Sequence, residues 1–356
     1  MTYRVVQWTT GNVGRQSVEA ILTHPDLELV GCYAWSPDKV GKDVGELCGT
    51  APAGVAATND VDALLALKPD CVVYNPMWLD VDEMVRILES GANIVSTAGF
   101  ITGHSLGAGR GRLQEACAQG QSSVFGSGIN PGLANLIAMV SAAGCDRVDK
   151  IVVSETADAT GYDSPATELP VGFARPIDDP NLLAMTTKGT GVFEDAVRLL
   201  GAALGVEFDE VVCEAEYAKT TEDLDLGSWK IDAGCVAGIA GSWQGKVAGR
   251  TIVDLRFRWR KGQSLEPDWK MDTGYLIEVH GRPTIRTKVE ILPPPDFQGT
   301  TFADFMVLGM VMTAMPAVHA IPAVVAAPPG IVTYADLPLP LPRKVVSRSA
   351  PALTEN

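Results

Sequence analysis

Two glycines placed three residues apart directly follow the first apolar run of the chain. The segment reads Thr9-Thr10-Gly11-Asn12-Val13-Gly14, between the predicted strand Tyr3–Trp8 and residues that are apolar at helical spacing. Bare backbone at Gly11 would let a diphosphate approach, and Gly14 would let the helix pack closely against the strand. The amides of Asn12 and Val13 would direct the positive end of the helix dipole at the phosphates. The spacing predicts a dinucleotide site, and the alternative is a tight strand–helix turn without a ligand.

The start of this turn and the end of the next strand indicate which dinucleotide binds. Thr9 stands where such turns usually have their first glycine. An NAD site usually has an Asp or Glu about 20 residues past the glycines, whereas Ala34 and Trp35 occupy those positions here. Ser36 and Lys39 follow them, and a hydroxyl and an ammonium suit a ribose 2′-phosphate. The sequence therefore favours NADP, with NAD as the alternative.

Three later loops follow the carboxyl ends of predicted strands, where ligands bind in doubly wound sheets. They are Asn75-Pro76-Met77, Thr97-Ala98-Gly99 and the glycine-rich stretch 126–132. In the last of them, Asn130 has both a donor and an acceptor for a carboxamide, and Gly132 precedes a new helix. Each loop by itself is also an ordinary turn. Because they follow successive strands, we predict that they complete the cofactor site.

Alternating strand and helix patterns position these loops. The predicted strands are Tyr3–Trp8, Leu27–Ala34, Cys71–Tyr74, Asn93–Ser96 and Ser122–Phe125. The predicted helices between them are Val13–Leu22, Val61–Leu67, Asp80–Ser90 and Arg110–Ala118. Strand, helix and strand repeated in this way predict parallel strands joined by right-handed crossovers. The fold class is therefore α/β, a doubly wound Rossmann sheet.

The pattern changes after about residue 145. Predicted strands cover Asp149–Glu155, Glu210–Lys219, Cys235–Trp243, Val247–Arg260 and Tyr275–Ile291, with one amphipathic helix over Gly191–Leu204. Within Val247–Arg260, apolar residues alternate with charged ones, which is typical of a strand with one face in water. A turn is expected at Gln244–Gly245. This half predicts a second α+β domain on a mainly antiparallel sheet.

The domain boundaries follow from these changes. We expect a Rossmann domain over 1–140, a substrate and dimerisation domain over 141–295, helices over 296–330 that return to the first domain, and a Pro-rich tail over 331–356. Thr301 and Asp304 form a capping box before an uncharged stretch from Phe305 to Ala327. Because Pro316 and Pro322 interrupt that stretch, buried helices are favoured over a membrane span.

Composition excludes several classes of protein. There are 28 Lys and Arg residues against 43 Asp and Glu, a net charge of −15, which argues against a nucleic-acid partner. The seven cysteines show no CxxC spacing, so reduced thiols and a cytoplasmic location are expected. No basic and apolar leader is present at the start, and the four scattered histidines predict no metal site.

Five short motifs resemble one family. They are Trp8 with Gly11–Gly14, Asn93–Thr97 (NIVST), Gly128–Gly132 (GINPG), Ala320–Ala323 (AIPA) and Ala327–Gly330 (APPG). The combination resembles the dihydrodipicolinate-reductase-like NAD(P)H enzymes and, within them, the 2,4-diaminopentanoate dehydrogenases and native amine dehydrogenases. The resemblance covers nearly the whole chain. It implies a Rossmann domain, a substrate domain whose sheet forms a homodimer, and reversible reductive amination of a small ketone or aldehyde with ammonia.

One departure from that family concerns the carboxylate that activates ammonia. Members of the diaminopentanoate type carry Glu after the fifth strand, where this chain has Gly99 and Phe100. A carboxylate is useful because ammonium must lose a proton before it attacks a carbonyl. Acids of the stretch 154–168 are candidate substitutes, with Glu155 preferred because it ends an apolar strand, although solvated loop acids are the alternative. Tyr162 could donate a proton to a carbonyl oxygen.

The sequence thus predicts an NAD(P)H-dependent oxidoreductase that acts on C–N bonds, most simply an amine dehydrogenase. Candidate residues of an apolar substrate pocket are Trp78, Phe100, Tyr162 and Phe173, although aromatic residues are more often core. Two alternatives stay open. One is a related reductase of another imine or unsaturated substrate, and the other is a dinucleotide-binding protein that has lost catalysis.

Overall fold

A computed structural model describes residues 2–345 of the chain. It divides into two compact units. Unit 1 comprises Met1–Leu133, Pro293–Gly299 and Val307–Asn356, and unit 2 comprises Ala134–Leu292 and Thr300–Met306. The first boundary thus falls a few residues before the predicted one, at the start of a helix that a boundary after residue 140 would divide.

The strands, in chain order, are β1 (Tyr3–Trp8), β2 (Leu27–Tyr33), β3 (Ala57–Thr58), β4 (Cys71–Tyr74), β5 (Asn93–Ser96), β6 (Ser123–Gly126), β7 (Arg147–Asp158), β8 (Glu210–Thr220), β9 (Leu224–Asp225), β10 (Lys230–Ile231), β11 (Val236–Val247), β12 (Arg250–Arg260), β13 (Leu265–Glu266), β14 (Gly274–Arg282), β15 (Ile285–Val289) and β16 (Gly330–Val332). The helices are α1 (Asn12–Thr23), α2 (Val44–Cys48), α3 (Val61–Ala66), α4 (Val81–Glu89), α5 (Ala108–Gly120), α6 (Ala134–Ala142), α7 (Pro165–Glu168), α8 (Leu182–Gly189), α9 (Val192–Ala203) and α10 (Phe302–Val325).

Unit 1 is built on a seven-stranded sheet in the order β16-β6-β5-β4-β1-β2-β3. Every pair of neighbours is parallel, and the order reverses beside β1, as in doubly wound sheets. The central strands are fully buried because they consist of continuous apolar runs, such as Cys71–Tyr74 in β4. Trp8 ends β1 inside this core and stacks on Tyr33 with ring centroids 4.5 Å apart. The predicted Rossmann sheet is confirmed.

The edge of this sheet is completed by residues from far along the chain. β16 pairs in parallel with β6, and Ser123 Oγ donates a hydrogen bond to the Pro328 carbonyl over 3.0 Å. Tyr334 is buried, packs edge-on against Phe125 and shares a hydrogen bond with Ser127. The predicted Pro-rich tail therefore does not begin at residue 331. Residues 346–356 lie outside the described part of the chain.

Unit 2 contains a second seven-stranded sheet in the order β13-β8-β11-β12-β7-β14-β15. Its neighbours are antiparallel except for β12 and β7, which run parallel. β12 alternates as predicted: Val253, Leu255 and Phe257 are buried in the core of the unit. The predicted α+β domain on a mainly antiparallel sheet is confirmed.

Asp254 lies on the charged face of β12 but is buried, with 2% of its surface exposed. Its carboxylate accepts hydrogen bonds from Lys150 over 2.7 Å, from Ser242 over 2.7 Å and from Arg256 over 2.6 Å. Burial alone would raise the pKa of Asp254, but these hydrogen bonds hold it below its usual value. The carboxylate thus joins three neighbouring strands at neutral pH.

The turn predicted at Gln244–Gly245 is wrong. β11 continues through these residues, and the chain reverses at Ala248 and Gly249, whose φ angles are 49° and 74°. Gly245 is needed inside the strand because a side chain there would lie 2.7 Å from the ring of Phe208. The glycine at this position serves close packing instead of a turn.

A single helix, α10, is present where C-terminal helices were predicted over 296–330. The predicted capping box is present before it, since Thr301 Oγ1 donates to Asp304 over 2.7 Å and accepts from the Asp304 amide over 3.3 Å. Pro316 and Pro322 lie inside the helix. Among residues 2–345, only Asp304–Val325 is long and apolar enough to cross a membrane by length and composition. Its second half is typical of a core helix, with six apolar residues buried: Ala314, Ala317, Val318, Ala320, Ile321 and Val324.

Candidate functional site

The glycine turn between β1 and α1 has the geometry of a phosphate cradle. Gly11 precedes the first residue of α1, and a Cβ built on it would meet nothing within 4 Å. A Cβ on Gly14 would lie 2.5 Å from the carbonyl oxygen of Thr9. Backbone is therefore accessible at Gly11, beside the free amides of the helix N-terminus, while Gly14 seats the helix on the strand. These are the two roles that the spacing predicted.

Thr9 occupies the first glycine position with a left-handed backbone, φ 71°. A β-branched residue rarely adopts this conformation, so its surroundings must hold it there. The Thr9 amide donates to the Tyr33 carbonyl over 3.0 Å, and its hydroxyl donates to the Asn75 carbonyl over 2.9 Å. The side-chain Nε2 of Gln7 donates to the Thr9 carbonyl over 2.9 Å. The need for a positive φ explains why dinucleotide-binding turns usually have glycine at this position.

Further side-chain hydrogen bonds join the turn to the loops after β4 and β5. Gln7 Nε2 donates to Asn75 Oδ1 over 2.8 Å, and Asn75 Nδ2 donates to Thr97 Oγ1 over 2.7 Å. Gln7 and Asn75 are buried, and Thr97 is half-buried. The predicted residues Thr9, Asn75 and Thr97 therefore lie together at the carboxyl ends of β1, β4 and β5.

Residues after β2 also contact the turn. Lys39 Nζ donates a hydrogen bond to Thr10 Oγ1 over 3.0 Å, so its ammonium lies beside the glycine turn. Ser36 bonds instead to Asp38, and this hydrogen bond, opposed by partial burial, lowers the pKa of the Asp38 carboxyl. Trp35 is 80% exposed. Lys39 is thus the predicted cation that the structure brings to the site.

The remaining predicted cofactor residues occupy the same edge of the sheet. Met77 is exposed and Pro76 half-buried after β4, while Ala98 is buried and Gly99 exposed after β5. Gly99 has φ 58° and open space around a built Cβ.

Asn130 and Gly132 follow β6. Asn130 is extended and half-buried, Gly132 has φ 142°, and α6 begins two residues later. The predicted step from a glycine-rich turn into a new helix is confirmed, and the cofactor contacts of these residues stay predictions.

The predicted pocket residues are distributed over both units. Trp78 is 59% exposed after β4 of unit 1. Phe100 and Phe173 are buried in the hydrophobic cores of units 1 and 2. Both phenylalanines pack within these cores, as aromatic residues most often do, and their pocket role stays a prediction.

The two predicted catalytic residues lie in unit 2. Glu155 is on β7, and its Oε1 accepts a hydrogen bond from the indole of Trp259 over 2.8 Å. Tyr162 lies in the loop after β7, with its ring centroid 5.9 Å from the ammonium of Lys261. Glu155 is thus hydrogen-bonded to the neighbouring strand β12, whereas Tyr162 lies in a separate cluster of side chains around Lys261.

That cluster surrounds Lys261, which the sequence-based reasoning missed. Its side chain is fully buried and forms an ion pair with Glu168 over 2.6 Å. It also donates to the carbonyls of Ala159 over 2.6 Å and Tyr162 over 2.5 Å, and the ring of Trp229 lies 5.4 Å away. The signal was present in the sequence, because Lys261 continues the buried alternation of β12.

Burial shifts both charged groups of this cluster toward their neutral forms. It raises the pKa of Glu168, and the hydrogen bond and charge of Lys261 oppose that rise. It lowers the pKa of Lys261, and Glu168 opposes that change. A buried carboxyl group with a raised pKa next to a lysine with a lowered one is the kind of perturbed pair that is enriched at functional sites.

Comparisons with known proteins agree with these two units. Residues 5–102 match the family "Dihydrodipicolinate reductase, N-terminus". Residues 133–351 match the "2,4-diaminopentanoate dehydrogenase C-terminal domain". An amine dehydrogenase of Streptomyces virginiae is 32% identical over 94% of this chain and 96% of its own. A 2,4-diaminopentanoate dehydrogenase of Acetoanaerobium sticklandii is 26% identical over 61% of this chain and 58% of its own.

The structure of an amine dehydrogenase from Mycobacterium smegmatis has the same fold. It superposes with a TM-score of 0.75, at 18% identity, over 95% of this chain and 96% of its own. The fold and the glycine turn define the class of protein as a nicotinamide-dinucleotide-dependent oxidoreductase with a Rossmann unit.

Within that class, the chain belongs to the family of the amine dehydrogenases and 2,4-diaminopentanoate dehydrogenases. The two relatives described above are named amine dehydrogenase and 2,4-diaminopentanoate dehydrogenase, which confirms the predicted class of function, an NAD(P)-dependent oxidoreductase of the amine dehydrogenase type.

Proposed function

We propose that this protein is an NADPH-dependent amine dehydrogenase that converts a small ketone or aldehyde and ammonia into an amine, and the reverse. The observation that carries the proposal is the cradle at Gly11, where open space, bare backbone and a helix N-terminus coincide. A diphosphate needs these three features together. The bound nicotinamide supplies the hydride, and the protein holds and orients both reactants.

The preference for NADP rests on charge beside the cradle. Lys39 contacts the hydroxyl of Thr10, and Arg15, on the first turn of α1, is exposed. No carboxylate follows β2 at Ala34 or Trp35, where an NAD site would bind the ribose hydroxyls. The nearest acid, Asp38, is bonded to Ser36. A 2′-phosphate would therefore meet the ammonium of Lys39, while the carboxylate of Asp38 is held by Ser36.

Calorimetry with each cofactor tests this preference. Lys39→Gln should weaken binding of NADPH by about tenfold or more and leave NADH within about twofold, since a charge-assisted contact to phosphate is lost. Lys68→Gln is the matched control, because Lys68 is exposed and precedes β4, at the opposite edge of the sheet. Equal losses for both cofactors in Lys39→Gln would refute the 2′-phosphate assignment.

The substrate assignment is tested by turnover. Cyclohexanone with NADPH should consume the cofactor only when ammonium is present, and cyclohexylamine with NADP should form NADPH. Turnover of a preformed cyclic imine without ammonium would instead favour the related reductases, whose amino-terminal family matches residues 5–102. Binding of NADPH without turnover of any carbonyl, amine or imine would favour a non-catalytic protein.

The cellular setting of this function is also a proposal. All seven cysteines lie among the described residues as free thiols, which suits a reducing cytoplasm. We further propose a homodimer formed through the sheet of unit 2, as in the family that the sequence resembles. Sedimentation equilibrium would measure the mass in solution, and a value of about 38 kDa, the 37.6 kDa of one chain, would refute the dimer.

A further inference from the structure

Two buried polar atoms next to Lys261 have no hydrogen-bond partner among the described residues. They are Glu168 Oε2 and Trp229 Nε1. The Glu168 side chain is 8% exposed. Native folds rarely leave a buried acceptor and a buried donor unpaired at one place, so each such pair calls for an explanation.

Lys261 cannot provide that explanation. Its ammonium already donates to the Ala159 carbonyl, the Tyr162 carbonyl and Glu168 Oε1, which uses its three protons. The ion pair therefore engages Oε1 of Glu168 and leaves Oε2 without a hydrogen-bond partner among the described residues. The ring of Trp229 is held against the same ammonium, 5.4 Å from its centroid.

The position of this cluster is set by the sheet of unit 2. β7 and β12 are parallel neighbours, with Asp158 opposite Arg260. The loop that contains Tyr162 and Glu168 follows β7, and Lys261 follows β12. Both segments thus leave the sheet at the same edge, as the loops that form ligand sites commonly do.

We propose that Glu168 Oε2 and Trp229 Nε1 bind the polar end of the substrate in reductive amination. The nitrogen of ammonium or of an amine donates to Oε2, and the carbonyl oxygen accepts from the indole N–H. The inference rests on the proposed function and deepens it, because it assigns a carboxylate in unit 2 to the task for which Gly99 and Phe100 offer none. Glu155, whose Oε1 is bonded to Trp259, is less suited.

Glu168 can carry every proton transfer that this reaction needs. Its carboxylate takes one proton from ammonium, and the lone pair of the resulting ammonia forms the C–N bond. The carbonyl π electrons move to oxygen, which takes the proton back from Glu168. Glu168 then relays one proton from nitrogen to that hydroxyl, which leaves as water, and the iminium that remains accepts the hydride.

Two variants and one control test the assignment in the full chain. Glu168→Gln keeps the shape but removes the base, and should lower kcat/KM for ammonium by about 100-fold or more. Trp229→Phe keeps a ring but removes the donor, and should lower kcat/KM for cyclohexanone by about tenfold. Glu207→Gln, on an exposed loop of unit 2, should match the wild type. NADPH affinity should stay within about twofold in all three.

The pH profile separates catalysis from support of the fold. In the wild type, kcat/KM for ammonium should fall at acid pH as Glu168 becomes protonated, and Glu168→Gln should lose this limb. The charged groups that act on Glu168 are Lys261 and Asp163, and Asp158 acts on Lys261 in turn. If Glu168 only supports the fold, the pH profile of Glu168→Gln should keep the acid limb of the wild type.

The outcomes are distinct. Wild-type rates in both Glu168→Gln and Trp229→Phe would overturn the inference and leave buried water as the partner of these atoms, with the proposed function intact. Absence of turnover by the wild type would overturn the proposed function and the inference with it. If Glu168→Gln does not fold, as circular dichroism would show, Trp229→Phe decides: a selective loss for the carbonyl substrate supports the site, and unchanged kinetics refute it.

Discussion

Alanine at Gly11 and alanine at Gly14 should have opposite effects on folding and binding. In the structure Gly11 has φ −73° and ψ −171°, which any residue adopts, and its Cβ would meet nothing within 4 Å. Gly11→Ala should therefore fold normally. Replacing glycine reduces the entropy of the unfolded chain, alanine is a poorer N-cap, and the two effects leave a net change within about 1 kcal/mol.

Gly14→Ala is the contrasting case. Its methyl group would lie 2.5 Å from the Thr9 carbonyl oxygen and 3.2 Å from Gln7 Nε2. Because the carbonyl is backbone, the helix must move away from the strand, and we expect a loss of about 1–3 kcal/mol of unfolding free energy.

Cofactor binding should be impaired in Gly11→Ala even though the stability of the fold is not. In Gly11→Ala the methyl group fills the space that a diphosphate needs, so NADPH affinity should fall by about tenfold or more although the fold is intact. Urea denaturation measures the free energy of unfolding, and calorimetry measures the affinity. A folded Gly11→Ala that binds NADPH as tightly as the wild type would refute the placement of the phosphates at this turn.

Three further predictions concern stability. Asp254→Asn leaves Lys150 and Arg256 without their carboxylate and should cost about 2 kcal/mol of unfolding free energy at pH 7. Because the native pKa of Asp254 is lowered, its stabilising contribution is present above the unfolded pKa of 3.8 and is lost below it. The urea midpoints of wild type and variant should therefore converge in acid. Thr9→Gly should stay within about 1 kcal/mol of the wild type, since relief of the positive φ offsets the lost hydrogen bond, whereas Thr9→Val should lose about 1 kcal/mol in the same assay. Asp43 accepts four backbone amides of its loop, so Asp43→Ala should lower the thermal midpoint more than Asp43→Asn, and a larger effect of the asparagine would contradict this role.

The cofactor half of the molecule was predictable because its signals are local. An apolar run, two spaced glycines and a helical pattern together specify the turn at Gly11, and strand ends placed Asn75 and Thr97 beside it. What could not be predicted was how Thr9 is held. Its positive φ depends on hydrogen bonds from Gln7 and to Asn75, which are set by the packing of strands distant in sequence.

The candidate substrate residues were harder to predict for the same reason. The ion pair between Glu168 and Lys261 joins a loop after β7 to the end of β12, and no sequence spacing relates the two. The alternation of β12 nevertheless continues from Val253 to Lys261, so a lysine at an inward position was a readable sign of a buried partner. The turn predicted at Gly245 failed because a glycine needed for packing against Phe208 resembles a glycine needed for reversal.

The edge strand β16 has a consequence for how the chain matures. The sheet of unit 1 begins at Tyr3 and is completed only by Gly330–Val332, with Tyr334 capping the same edge. During synthesis, β6 therefore lacks its second neighbour until Gly330–Val332 has been made, more than 200 residues later in the chain. Until then β6 presents an unpaired apolar border, the kind of surface that chaperones protect.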